Sequence, residues 1–168
     1  LEANKISVVI VSFNRVDQLR ASLRALLGSD PGAGQKLQVV VVDNGSRDGS
    51  ASLDDEFPDA RFSRLPRNFG HTRALNIGIR AAEGEYILLL HDDVTITAAS
   101  VITLAEFLEN RLDVAAVCPN FGTAQVRPLP NPSHPDPPFQ MPAAGDEAVA
   151  DCASGAAIML RAAFLRSM

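Results

Sequence analysis

The sequence predicts an α/β fold: a doubly wound, mostly parallel sheet with helices on both faces. Three observations carry this. Ile6–Ser12 and Leu37–Val42 are unbroken, largely β-branched runs. Such runs mark strands buried on both faces rather than on one. Strand-like and helix-like segments alternate at a steady rhythm, which favours parallel strands joined by crossover helices. Polar clusters follow three of the strands directly, and open α/β sheets bind ligands at the carboxyl ends of strands.

The elements follow in order. After the first strand, Asn14 is placed to cap a helix over Val16–Leu27, with Leu19, Leu23, Leu26 and Leu27 on one face. Gly28, Pro31, Gly32 and Gly34 then break the pattern into a loop. The second strand, Leu37–Val42, ends on the turn-rich run Asp43–Ser50. A short helix is predicted over Ser50–Phe57 and a weaker third strand over Arg61–Leu65. Arg67–Gly70 reads as a turn and Thr72–Ala82 as a helix with Leu75 and Ile79 inward, stopped by Gly84. Glu85–Leu90 is a fourth strand, running straight into His91-Asp92-Asp93. A helix over Ala99–Asn110 carries the stripe Val101, Leu104, Phe107, Leu108, and Val114–Cys118 is a fifth strand.

Composition shifts after that point. Eight of the 11 prolines lie between Pro119 and Pro142, which excludes helix and central strand there and predicts a long loop. Asp151–Gly155 then leads into the apolar run Ala156–Leu160, and the last residues resemble the first turns of a helix. The division is an α/β subdomain over 1–118 and a proline-rich loop with a following segment over 119–168, within one domain.

Length and charge narrow the function. A chain of 168 residues suits one domain with a sizeable core. A net charge of −5 argues against nucleic acid and acidic membrane surfaces as partners. Cys118 and Cys152 are too few for a disulfide framework, fit no zinc spacing, and read as buried thiols. The apolar runs are strand-length and cannot span a bilayer, so a cytoplasmic enzyme or domain is expected, with any membrane association residing in further parts of a longer chain.

Adjacent carboxylates at a strand end, such as Asp92 and Asp93, repel unless a positive group sits beside them. A hard cation such as Mg2+ or Mn2+ would serve, sharing its remaining positions with phosphate oxygens and water. The alternative is one helix-capping and one solvated aspartate. Asp43 is suited either to accept a base-ring N–H or to open an Asx turn. The loop after the first strand, Ser12–Asp17, contains no glycine, which argues against P-loop and dinucleotide-binding chemistry.

Val8–Arg15, then Val40–Ser50, then Asn68-Phe-Gly70 with Ala74–Gly78, then Gly84–Val94 together resemble family 2 glycosyltransferases, in order and over nearly the whole chain. The resemblance implies a GT-A fold, a nucleoside-diphosphate-sugar donor of UDP or dTDP type, a divalent metal, and inverting transfer to an acceptor hydroxyl, as in cell-wall or polysaccharide biosynthesis. It gives the nucleoside pocket to Ser12, Phe13 and Asn14 and the base to Asp43. Asn44 and Ser46 would shape that pocket, and Asn68 and Gly70 would lie beside the donor. Asp92 would sit near the ribose or diphosphate, and Asp93 would bind the metal. Asp151, Ser154 and Gly155 match the acceptor-side segment.

Two departures stand out. His91 occupies the first position of the family's Asp-x-Asp motif, where its role is open between ligating Mn2+ and donating a hydrogen bond to the donor. The family's general base comes from a later segment, which places it beyond Met168 and leaves a non-catalytic sugar-nucleotide-binding module, or a degraded homologue, as the alternative function. A nucleotidyltransferase would carry a basic, glycine-rich loop after its first strand, and a receiver domain would carry its acidic pair there. This sequence does neither.

Overall fold

The computed structural model describes residues 5–29, 36–112, 114–119 and 156–167. Six strands form one sheet: β1 (Ile6–Ser12), β2 (Leu37–Asp43), β3 (Ala60–Arg64), β4 (Tyr86–His91), β5 (Ala116–Val117) and β6 (Ala157–Arg161). Their spatial order is β3-β2-β1-β4-β6-β5. The first four are mutually parallel, with Val8 beside Val39 on one side and Leu88 on the other. β6 runs antiparallel to β4, and β5 antiparallel to β6.

The predicted mostly parallel α/β sheet is therefore present. Its fifth strand differs from expectation: only Ala116 and Val117 pair, and β6 stands between them and β4. Ala157–Arg161 lies far along the chain, beyond the proline-rich segment, so local pattern gave no sign that it returns to this sheet.

The helices are α1 (Val16–Leu27), α2 (Leu53–Glu56, entered through a 3-10 turn at Ser50–Ser52), α3 (His71–Ala81), α4 (Ala98–Asn110) and α5 (Ala162–Ser167). Alternation along each strand divides the core into two faces. Ile6, Val8 and Ile10 meet Leu19, Leu23 and Leu26 of α1, Leu53 of α2, and Val101, Ile102, Ala105 and Leu108 of α4. Val9, Val40 and Ile87 point the other way, toward Leu75 and Ile79 of α3. Each fully buried leucine of α1 contributes about 1.5–3 kcal/mol by leaving water. On α4 the buried stripe is Val101, Ile102, Ala105 and Leu108, with Leu104 only partly buried against it.

Three local readings are corrected. Asn14 does not cap α1: the N-cap is Arg15 with no side-chain bond, and Asp48 Oδ2 accepts from Val16 N at 2.7 Å instead. Gly84 does not stop α3, whose C-cap is Ala82. A Cβ at Gly84 would stand 2.7 Å from Lys5 O and 2.8 Å from Ser7 N, so this glycine permits a close backbone crossing at the start of β1. Cys118 is half-buried rather than buried, and Cys152 lies outside the described residues. Among the described residues no helix is long and apolar enough to cross a membrane.

Chain order and sheet order together position the site. The chain builds β1, β2 and β3 outward in one direction, then returns to the other side of β1 to lay down β4. That reversal is a topological switch point, and it opens a crevice at the carboxyl ends of β1 and β4.

Candidate donor and metal site

A cleft of about 260 Å³ opens there. Val11 and Ser12 line it from the end of β1, Phe13 and Arg15 from the turn into α1, and Asn44 and Asn68 from the loops beyond β2 and β3. His71 from α3 and His91 and Asp92 from β4 complete the wall. Ser12, Phe13, Asn44, Asn68 and Asp92 are thus brought together as the sequence suggests. Asn14, Asp43, Ser46, Gly70 and Asp93 are not among its lining residues. Asp151, Ser154 and Gly155 lie outside the described residues.

Asn14, Asp43 and Ser46 belong to a hydrogen-bonded scaffold. Asn14 takes φ 54°, a left-handed conformation that asparagine tolerates better than most side chains. Its amide donates to Ser46 Oγ at 2.9 Å, and its Oδ1 accepts from Arg47 N at 2.8 Å, latching the end of β1 to the loop after β2. Asp43 closes the Asx-type turn, accepting from Ser46 N at 2.9 Å, and its second oxygen accepts from Arg64 Nη1 at 2.7 Å. Both oxygens of this buried carboxylate are engaged inside the protein. Arg64, which the sequence reading missed, also donates to Ser50 O, Ala51 O and Asp54.

Asn44 is 3% exposed and joins the loops across the cleft floor. Its Nδ2 donates to Asn68 Oδ1 at 3.1 Å, and its Oδ1 accepts from Phe69 N at 3.0 Å. Asn68 Oδ1 in turn accepts from Gly70 N at 2.8 Å, at the head of α3. Gly45 makes this junction sterically feasible. Its φ is +83°, and a Cβ there would lie 2.5 Å from the Arg67 carbonyl carbon.

Asp48 completes the scaffold. Burial pushes its carboxyl up, but hydrogen bonds from the Ser50 hydroxyl and from the Val16 and Ser50 amides outweigh that, and its pKa falls below the ordinary value.

The β4 edge is built differently. Asp92 is 5% exposed, and its Oδ2 accepts the Ser12 hydroxyl at 2.8 Å. Its backbone carbonyl accepts from Ser22 Oγ at 2.9 Å, which ties the turn to α1. Asp93 is half-exposed, with Oδ2 2.9 Å from Arg15 Nη1 and Oδ1 3.7 Å from His91 Nδ1. Arg15 Nη1 also lies 3.6 Å from Asp92 Oδ1. The His91 ring stacks on that of His71, centroids 5.6 Å apart at 29°.

One ligand atom each from His91, Asp92 and Asp93 lies within 4.8 Å of the others. Two carboxylates and an imidazole suit Mn2+, and Mg2+ where water and phosphate oxygens fill the remaining positions. The Arg15 guanidinium supplies the counter-charge to the two carboxylates. The donor set therefore fits the ion that the sequence suggests.

Arg15 and His71 were not singled out in the sequence. Arg15 follows directly on the polar end of β1, a signal that was present. His71 opens α3 and gives none without the fold. Arg67 and Arg73 both stack on the Phe69 ring, at 4.9 and 4.6 Å from its centroid.

The mixed, mostly parallel sheet with its cleft at the β1–β4 switch point and a His-Asp-Asp group at its edge matches the GT-A class of fold. The profile of the family described as Glycosyl transferase family 2 matches residues 7–166, and the chain belongs to that family.

Among curated proteins, the chain is 28% identical over 116 residues to undecaprenyl-phosphate 4-deoxy-4-formamido-L-arabinose transferase of Proteus mirabilis, covering 66% of this chain and 36% of that protein. It thus spans about a third of the length of that relative. Among solved structures, S. aureus TarS 1-349 superposes with a TM-score of 0.72 at 22% identity, covering 97% of this chain and 48% of the other. The mannosyltransferase PcManGT from Pyrobaculum calidifontis, solved with GDP-Man and Mn2+, superposes with a TM-score of 0.59 at 25% identity, covering 68% of this chain and 34% of the other.

Proposed function

We propose that this chain is the donor-binding part of a glycosyltransferase that moves a sugar from a UDP- or dTDP-type donor to an acceptor hydroxyl, with inversion and with the help of Mg2+ or Mn2+. The observation that carries this reading is a cleft at the switch point where nucleoside-side residues meet His91 and Asp92, which group with the adjacent Asp93. The mannosyltransferase relative holding GDP-Man together with Mn2+ supports the nucleotide-sugar and metal parts of it.

In this reading Phe13, 42% exposed at the cleft, offers an apolar ring face to the nucleoside. Asn44 and Asn68 hold the cleft floor rigid, and Asp43 holds the turn that follows Asn44 through its bond from Ser46 N. Ser12 orients Asp92 toward the ribose and diphosphate, and Asp93 holds the metal with His91 beside it. The metal, when bound, would neutralise charge on the departing diphosphate as a Lewis acid. In the transfer the bond between the anomeric carbon and the diphosphate oxygen breaks. The acceptor oxygen bonds that carbon from the opposite face and gives its proton to a base. No described residue is assigned as that base, and Asp151, Ser154 and Gly155 remain the proposed acceptor side.

Calorimetric titration with UDP tests the reading. Mn2+ is expected to tighten UDP binding by about tenfold or more, a linkage of roughly 1.4 kcal/mol, and Asp93→Ala is expected to abolish that gain. UDP affinity indifferent to both Mn2+ and the substitution would refute it.

A further inference from the structure

Arg15 stands where a metal would. Its backbone is fixed at one lip of the cleft: Leu19 N donates to its carbonyl at 2.9 Å, and the preceding Asn14 is latched to Ser46 and Arg47. Its Nη1 reaches Asp93 Oδ2 at 2.9 Å and Asp92 Oδ1 at 3.6 Å. Asp92 is held in place, because its other oxygen takes the Ser12 hydroxyl and its side chain is 7% exposed. The two carboxylates need a counter-charge, and the guanidinium supplies it.

A divalent ion on the same carboxylates would sit close to that guanidinium and be repelled by it. The Arg15 side chain is 48% exposed and therefore has room to move. It also lines the cleft, where a diphosphate would offer its planar fork a matching pair of oxygens.

We infer that Arg15 is an exchangeable counter-cation. It neutralises Asp92 and Asp93 while the cleft is empty and opposes metal entering alone. It transfers to the donor diphosphate when metal and nucleotide enter together. This rests on the donor-and-metal reading above and adds to it a positioning residue and a cause of cooperative binding, since the nucleotide removes from the carboxylates the charge that opposes the metal.

The test measures Mn2+ affinity by electron paramagnetic resonance of the free ion. It compares wild type, Arg15→Gln and Arg15→Lys, each with and without UDP. Without UDP, Arg15→Gln is expected to bind Mn2+ about tenfold more tightly than wild type. Arg15→Lys, which keeps the charge, is expected to return toward wild type. With UDP present the advantage of Arg15→Gln should vanish, and its UDP affinity should fall about fivefold. Equal Mn2+ affinity of wild type and Arg15→Gln without UDP would overturn the inference and leave the metal site standing, as would Arg15→Lys binding as tightly as Arg15→Gln. Mn2+ binding by none of the three, with or without UDP, would overturn both this inference and the metal reading beneath it.

Discussion

The loop after β2 and the turn after β4 flank the same central strand, and both are runs of polar residues at a carboxyl end. In the first, Asp43, Asn44, Ser46 and Asp48 spend their hydrogen bonds on one another, on Arg64 and on neighbouring backbone. In the second, Asp92 is anchored by Ser12, but His91 and Asp93 stay half-exposed, with Asp93 paired to the long side chain of Arg15 and His91 stacked on His71. A carboxylate with both oxygens bonded to its own fold is held in one orientation, with lone pairs still left to accept. Two carboxylates sharing one exposed guanidinium have an exchangeable partner. On the proposed reading the β2 end mainly shapes the cleft, to which it contributes Asn44, and the β4 edge holds the metal.

The difference can be broken most severely at Gly45. Gly45→Ala combines a positive φ with overlap on the Arg67 backbone, and is expected to cost about 3 kcal/mol or more in a denaturant melt. A loss below about 1 kcal/mol would mean that the junction between the two loops relaxes easily. Asp93→Ala should do the reverse. Its partner pair is exposed, so stability should stay within about 0.5 kcal/mol of wild type while the Mn2+ dependence of UDP binding disappears.

Acid gives the smallest effect. The pKa of Asp48 is lowered as described, and that of Glu56 is lowered chiefly by its hydrogen bond from Arg20, against desolvation, with Arg24 adding to it. A depressed carboxyl pKa stabilises the fold above the unfolded value, and that contribution fades as the pH falls through the folded one. Stability should therefore decline below about pH 4, with a shallower slope in Asp48→Asn. An unchanged slope would show that the Asp48 cap on α1 contributes nothing.

How much of this was legible depends on the range of each interaction. β1, β2 and β4 were readable because burial on both faces leaves an unbroken apolar run. The three polar ends were readable because they abut those runs. The cap on α1 was not, since Asp48 reaches Val16 from across the sheet edge and Asn14, the local candidate, is turned into a left-handed latch instead. β6 was hidden for the same reason: an apolar run gives neither direction nor partner, and its place beside β4 is set by the tertiary fold. Asp43 shows the limit within the site. Its residue type fits a base-holding role and an Asx turn equally, and only the position of Arg64 shows where its second oxygen is spent.

The claim that the β4 edge, and not the β2 loop, holds the exchangeable cation is tested most directly by an anomalous-scattering map. Crystals of the chain soaked in Mn2+ and UDP should show a peak within metal-ligand distance of Asp93, beside His91 and Asp92, with the Arg15 guanidinium displaced toward the diphosphate. A peak among Asp43, Asp48 and Asp54 instead, or Arg15 still bridging Asp92 and Asp93 with UDP bound, would contradict it.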